Sequence, residues 1–221
     1  MKAQHVCGFI MISTQRYHKS LRRFPTVYLD RPARGEEKED ITIESDNYKG
    51  GYLAGRQLRM AGCKKMAIIR MNGNDFNQDS RMDGFIKALA EAGIAEQEIS
   101  RMDIGDASIQ SAYSKMAEEL RDNFPYDGVF CTTDTLAAGV YTALRERNKR
   151  VPEDVKIVGF DDCDLAVATG PGISSVHQDV GKMAELAVDA LARRLSGETL
   201  SSNHFYLPVY LTVRASTDSL T

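Results

Sequence analysis

The chain has 221 residues, 43% hydrophobic and 27% charged, an ordinary balance for a soluble globular protein, with 28 Lys and Arg against 31 Asp and Glu for a net charge of −3. That length suffices for one large domain or two small ones with a sizeable core. No basic tract offers a footprint for a nucleic-acid backbone, and no apolar run nears the roughly 18 residues of a membrane span. The start lacks the apolar stretch of a signal peptide, so a cytoplasmic location is expected. Cys7, Cys63, Cys131 and Cys163 form no C-x-x-C pair, which favours free thiols over a metal or redox site.

In chain order, short apolar or β-branched runs alternate with amphipathic stretches. Residues 6–12 and 26–29 read as strands, and 41–44 as a weaker one. Asp46 or Asn47 caps a helix to about Met60, stopped by Gly62. Residues 66–71 form a strand. Ser80-Arg81-Met82-Asp83 has capping-box spacing, and Met82, Phe85, Ile86 and Leu89 share the helical face that follows, up to Gly93. Residues 99–104 read as a strand, and Ser108 caps a helix carrying Ala112, Tyr113, Met116, Ala117 and Leu120. Asp127-Gly128 turns into strand 129–132, and Asp134 caps a helix with Leu136, Val140 and Leu144.

Residues 155–160 are nearly all apolar, as in a strand covered on both faces. Asp179 caps the helix bearing Met183, Leu186, Ala187, Ala190 and Leu191, which Gly197 stops. Residues 205–213 alternate as one last strand, with Pro208 marking an edge or bulge. The polar run 33–40 reads as a solvated loop. Strands alternating with helices of this length specify an α/β fold with mostly parallel sheets.

Ligands of open α/β sheets bind beyond the carboxyl ends of the strands. Those ends carry Asp30-Arg31-Pro32, Arg81 after the loop following residues 66–71, Thr132-Thr133-Asp134, and Asp161-Asp162. Carboxylates accept from hydroxyls, Arg donates in a planar fork and Thr does both, a set suited to a neutral, hydroxyl-rich ligand. Each also has a plainer role. Asp134 suits a helix cap, Asp161-Asp162 a turn, and Asp30 the start of a turn. The four histidines match no metal spacing, and no G-x-S-x-G elbow or phosphate-binding glycine loop occurs. Asp162-Cys163-Asp164 after an apolar strand is the one enzyme-like signal, a paired acid that could hold Mg²⁺ in a phosphatase.

Several ordered stretches resemble the lactose-repressor (LacI/GalR) family of transcription regulators. They are Tyr28-Leu29-Asp30-Arg31-Pro32, Ser45-Asp46-Asn47-Tyr48-Lys49-Gly50-Gly51, Arg81-Met82-Asp83-Gly84-Phe85 and Thr133-Asp134-Thr135-Leu136-Ala137-Ala138-Gly139. Further along come Val151-Pro152-Glu153-Asp154-Val155, Val158-Gly159-Phe160-Asp161-Asp162, Ser174-Ser175-Val176-His177-Gln178, and Leu207-Pro208 through Val213-Arg214-Ala215-Ser216-Thr217. The resemblance implies two periplasmic-binding-protein-like, Rossmann-type lobes joined by three crossovers. It places a partial N-terminal lobe at 1–45 plus 178–203 and a C-terminal lobe at 46–177 plus 204–221.

By the same resemblance, Asp30, Arg81, Thr133, Asp161 and Gln178 fall on effector-contact positions, with Thr133 replacing the Asn usual there. The implied role is the sugar-binding core of a regulator that controls DNA binding through lobe closure. It is not an enzyme and needs no cofactor or metal. Members open with a helix-turn-helix, a hinge helix and two β-α units. This chain starts at the third strand, so an N-terminally truncated core without the DNA-binding domain is expected. A homodimer and operator contact only through that absent headpiece are implied with it. The alternatives are a freestanding cytoplasmic sugar-binding protein, a non-functional remnant, or the Mg²⁺-dependent phosphatase.

Overall fold

The computed structural model describes residues 6–12, 24–31, 41–72, 76–121 and 124–218. The polar loop expected at 33–40 lies outside them. In chain order the elements begin with β1 (Phe9–Ile12), β2 (Thr26–Leu29), β3 (Ile41–Ser45), α1 (Asn47–Met60), β4 (Met66–Met71) and α2 (Phe76–Glu91). There follow β5 (Ser100–Ile104), α3 (Ile109–Glu119), β6 (Gly128–Cys131), α4 (Asp134–Glu146), β7 (Lys156–Asp161) and the short α5 (Asp164–Ala168). The chain ends with β8 (Ser174–His177), α6 (Val180–Leu195), β9 (His204–Leu207) and β10 (Tyr210–Thr212).

Two compact units result, each discontinuous in sequence: Met1–Asp46 with Asp179–Pro208, and Asn47–Gln178 with Val209–Thr221. Both are α/β, as the alternation of strands and helices requires. Among the described residues the first unit holds a four-stranded parallel sheet in the order β1-β2-β3-β9. Val27, Ile41, Ile43 and Leu207 pack with Met183, Ala187 and Ala190 of α6. The second unit holds a six-stranded sheet in the order β10-β8-β7-β6-β4-β5, in which only β10 runs antiparallel.

The apolar strands of the second unit are covered on both faces. Ala67, Ile69, Val129, Cys131 and Ile157 join the core built with α3 and α4. Met66, Ile68, Phe130, Val158 and Phe160 join the core built with α1 and α2, where Phe85 stacks on Phe130 at 5.1 Å. Successive strand residues therefore alternate between two dry layers, which is why 155–160 shows no polar face.

Local signals were legible where the partner group is close in sequence. Ser108 accepts from the Ser111 amide and Asp179 from the Lys182 amide, each satisfying an orphan donor of the first turn. Gly62 and Gly93 close their helices at φ +87° and +79°, a conformation a side chain would resist.

The structure corrects four expectations. The second helix begins at Phe76, so Ser80–Asp83 lie inside it; its first-turn Asp79 is held by Arg70 of β4. Thr133, not Asp134, caps α4, its hydroxyl accepting from the Leu136 amide at 3.3 Å. Residues 205–213 are two strands in two sheets, with Pro208 at the passage between them. Because β9 pairs with β3, residues 204–207 belong to the first unit, which moves the boundary placed at 203/204 to 208/209.

Candidate functional site

The carboxyl ends of β6, β7 and β8 gather the polar residues of the second unit. Arg81, on α2 and 3% exposed, supplies the cation. Its Nε donates to Asn47 Oδ1 at 2.8 Å and its Nη1 to the Thr132 carbonyl at 2.6 Å. The guanidinium lies over the Phe160 ring, 3.6 Å from the centroid. Planar stacking and directed donation together fix its orientation in a way a lysine could not reproduce. Nη1 also stands 3.8 Å from Asp161 Oδ1, and Gln178 Nε2 donates to that same oxygen at 2.7 Å.

Asp161 keeps a third of its side chain open to solvent, so it presents an acceptor braced by two donors. Gln178 is nearly buried, and its Oε1 has no hydrogen-bond partner. A buried amide oxygen left unmatched is costly, which marks it as a place for a donor from outside the chain.

The turn that carries Asp161 is strained. Asp161 and Asp162 have φ +114° and +54°, two consecutive non-glycine residues in the left-handed region, at a cost of about 1–3 kcal/mol each. The surroundings hold it there. Asp162 accepts from Arg214 Nη2 at 2.6 Å and Thr212 Oγ1 at 2.8 Å, and His177 Nδ1 lies 3.0 Å from it. The Asp162 amide donates to Ser175 Oγ, and the Cys163 amide to Asp134 Oδ2. Asp134 is buried and also accepts from Ser175 Oγ at 2.6 Å. Burial pushes the Asp134 carboxyl up, and the bonds from Ser175 and Cys163 only partly reverse it.

Burial pushes the Asp162 carboxyl up as well, but the donors Arg214, Thr212 and His177 outweigh it and hold it below its ordinary value. A depressed folded pKa contributes stability that is present above the unfolded value and lost as pH falls through the folded one. Asp162→Asn is therefore expected to lower stability by about 1–3 kcal/mol at neutral pH and to flatten the acid limb of the pH–stability curve. Urea unfolding between neutral and acidic pH reads both. Unchanged stability at neutral pH would contradict the clamp.

Of the five residues singled out by sequence, the structure brings Arg81, Asp161 and Gln178 together. Thr133 follows the Thr132 carbonyl that receives Arg81, but its hydroxyl serves the α4 cap. Asp30 lies in the first unit, at φ +66° after β2, with its amide donating to the Ile43 carbonyl. Sequence reasoning missed Asn47 as a partner of Arg81, because its position before a helix suggests a cap. It also missed Phe160 beneath the guanidinium. Asp162, the acid at the centre of the phosphatase reading, is engaged by Arg214, Thr212 and His177. Among the described residues no group of three or more acids, histidines or cysteines could hold a metal, and no helix is long and apolar enough to cross a membrane.

Residues 56–217 match the periplasmic binding protein-like domain family. The chain belongs to that family. Within it, this periplasmic-binding-protein-like chain is 31% identical over 98% of its length to the HTH-type transcriptional regulator CelR of Thermobifida fusca. It superposes on a CelR–cellobiose complex with a TM-score of 0.84 at 30% identity, covering 96% of this chain and 66% of that one. A LacI family transcriptional regulator from Enterococcus faecium with bound ribose gives a TM-score of 0.86 at 28% identity, covering 98% and 81%. The chain spans between 58% and 66% of the length of the curated relatives it matches. The resemblance thus covers the effector-binding core of LacI-type regulators.

Proposed function

We propose that this chain is the effector-binding core of a LacI-type transcription regulator and that its effector is a sugar or a similarly hydroxyl-rich molecule. The observation that carries this reading is the group of Arg81, Asp161 and Gln178. A fixed guanidinium, a braced acceptor and a buried amide oxygen awaiting a donor converge at the carboxyl ends of parallel strands. Donors and acceptors so interleaved match a ring of hydroxyls. The sugars bound to CelR and to the Enterococcus faecium regulator support the same class. Asp30 and Thr133 are proposed as further effector contacts, by their place after β2 and β6.

In this role the chain performs no catalysis and binds a small molecule. The effector acts by binding one arrangement of the protein better than another. In a whole regulator that preference changes how a helix-turn-helix pair meets operator half-sites, with a homodimer supplying the pair. Cytoplasmic location follows from the same role.

The test is thermal unfolding against a panel of neutral pentoses, hexoses and disaccharides. At a hundredfold excess over Kd the effector should add about 2.7 kcal/mol. No stabilisation by any of these, by sugar phosphates or by purines would overturn the reading.

A further inference from the structure

The first unit holds a buried acid that the Arg81 group does not involve. On β3, Ile41 and Ile43 pack against α6, so the alternation of the strand turns Glu44 to the opposite face. Glu44 is 1% exposed. Its Oε1 lies 2.5 Å from His204 Nε2 on the neighbouring strand β9, whose ring stacks on Tyr206 at 4.4 Å. Its Oε2 is also buried and has no hydrogen-bond partner. Burial pushes the Glu44 carboxyl up. His204 pulls it down, Asp30 and Asp46 push it up again, and the net displacement is upward.

A buried carboxylate with one unmatched oxygen costs stability, and an apolar residue of similar size would avoid that cost. Glu44 sits one residue from the carboxyl end of β3, beside the strand whose end carries Asp30, which is where parallel sheets receive ligands. A donor from a ligand would complete its hydrogen bonding. The negative charges of Asp30 and Asp46 also act on Glu44, so an anion placed against its free oxygen meets like charge. We infer that Glu44 sets effector specificity, its Oε2 accepting from a hydroxyl or ammonium of the effector and its charge barring a phosphate from that position. The inference rests on the effector-binding reading above.

Titration calorimetry of the full chain against neutral sugars, amino sugars and sugar phosphates, with Glu44→Leu and Glu44→Gln, tests it. Glu44→Leu removes the acceptor and should weaken the best neutral or amino sugar roughly ten- to hundredfold. Glu44→Gln keeps an acceptor without the charge, so it should hold that sugar and gain affinity for the phosphorylated one. Ligand-free melting is the second readout. Because the folded pKa is raised, ionising Glu44 erodes stability as pH rises, so both variants should melt at or above the parent at pH 8, with the gap narrowing in acid. Unchanged affinity in Glu44→Leu, or a sugar phosphate as the preferred ligand of the parent, overturns the inference while leaving effector binding intact. A parent that binds nothing in the panel and no purine overturns both.

Discussion

Gly84→Ala should lower the stability of the second unit by about 3 kcal/mol or more and abolish effector binding with it. A Cβ on Gly84 would lie 1.9 Å from the Tyr48 carbonyl oxygen and 2.8 Å from the Tyr52 nitrogen. The reciprocal contact is as close, since a Cβ on Gly51 would stand 1.8 Å from the Arg81 carbonyl oxygen. Backbone atoms of two helices cannot swing aside as a side-chain tip can, so α1 and α2 must separate. Separation opens the layer in which Ala54, Leu58, Phe85 and Leu89 are packed, leaving voids that cost further stability. It also displaces the first residue of α1 from Arg81, breaking the Asn47 bond that aims the guanidinium. Urea unfolding followed by circular dichroism measures the loss. A change under about 1 kcal/mol would mean that the crossing tolerates a methyl group and that this packing account is wrong.

Arg81→Met should cost effector affinity about a hundredfold or more while leaving the fold cooperative. Methionine fills much of the same volume over Phe160, so the core is not emptied. What goes is the donor set. Asn47 Oδ1 and the Thr132 carbonyl lose their charged partner, and Asp161 loses its nearby positive charge. Gln178 still donates to Asp161. Calorimetry with the sugar identified by thermal shift reads the affinity, and melting in its absence shows whether the variant is folded. Retention of affinity within a few-fold would remove Arg81 from the effector site. Arg81→Lys is expected to resemble Met, because an ammonium can neither stack flat on Phe160 nor reach two acceptors in one plane.

The sequence was most readable where a residue acts on its near neighbours. The caps at Ser108 and Asp179 and the stops at Gly62 and Gly93 are local, and the alternation of apolar layers in β4, β6 and β7 follows from composition alone. It failed where a distant partner decides between two local options. Thr133 and Asp134 can both cap α4. Ser175, 41 residues further on, takes the carboxylate and leaves the hydroxyl to the helix. Asn47 looked like a cap, and Arg81, 34 residues later, gives it a different task.

Residues 205–213 kept one strand-like alternation throughout, yet nothing local says that the partner changes from β3 to β8 at Pro208. Asp30, Arg81, Thr133, Asp161 and Gln178 could be picked out because strand ends are visible in sequence. Glu44 could not, since a glutamate inside a short strand looks solvent-facing until its burial is seen.

The discontinuity of the first unit constrains how the protein is made. Its strand β3 pairs with β9, and Glu44 meets His204, residues 160 positions apart. A ribosome therefore releases β1, β2 and β3 long before their sheet can gain its last strand. By then it has delivered all of the second unit except β10 and the residues that follow it. Closing so long a loop is slow compared with forming contacts inside it. The inserted unit should thus become protease-resistant on the nascent chain while the first unit is still open. That order of assembly leaves a window in which a chaperone or a second nascent chain meets the unfinished sheet.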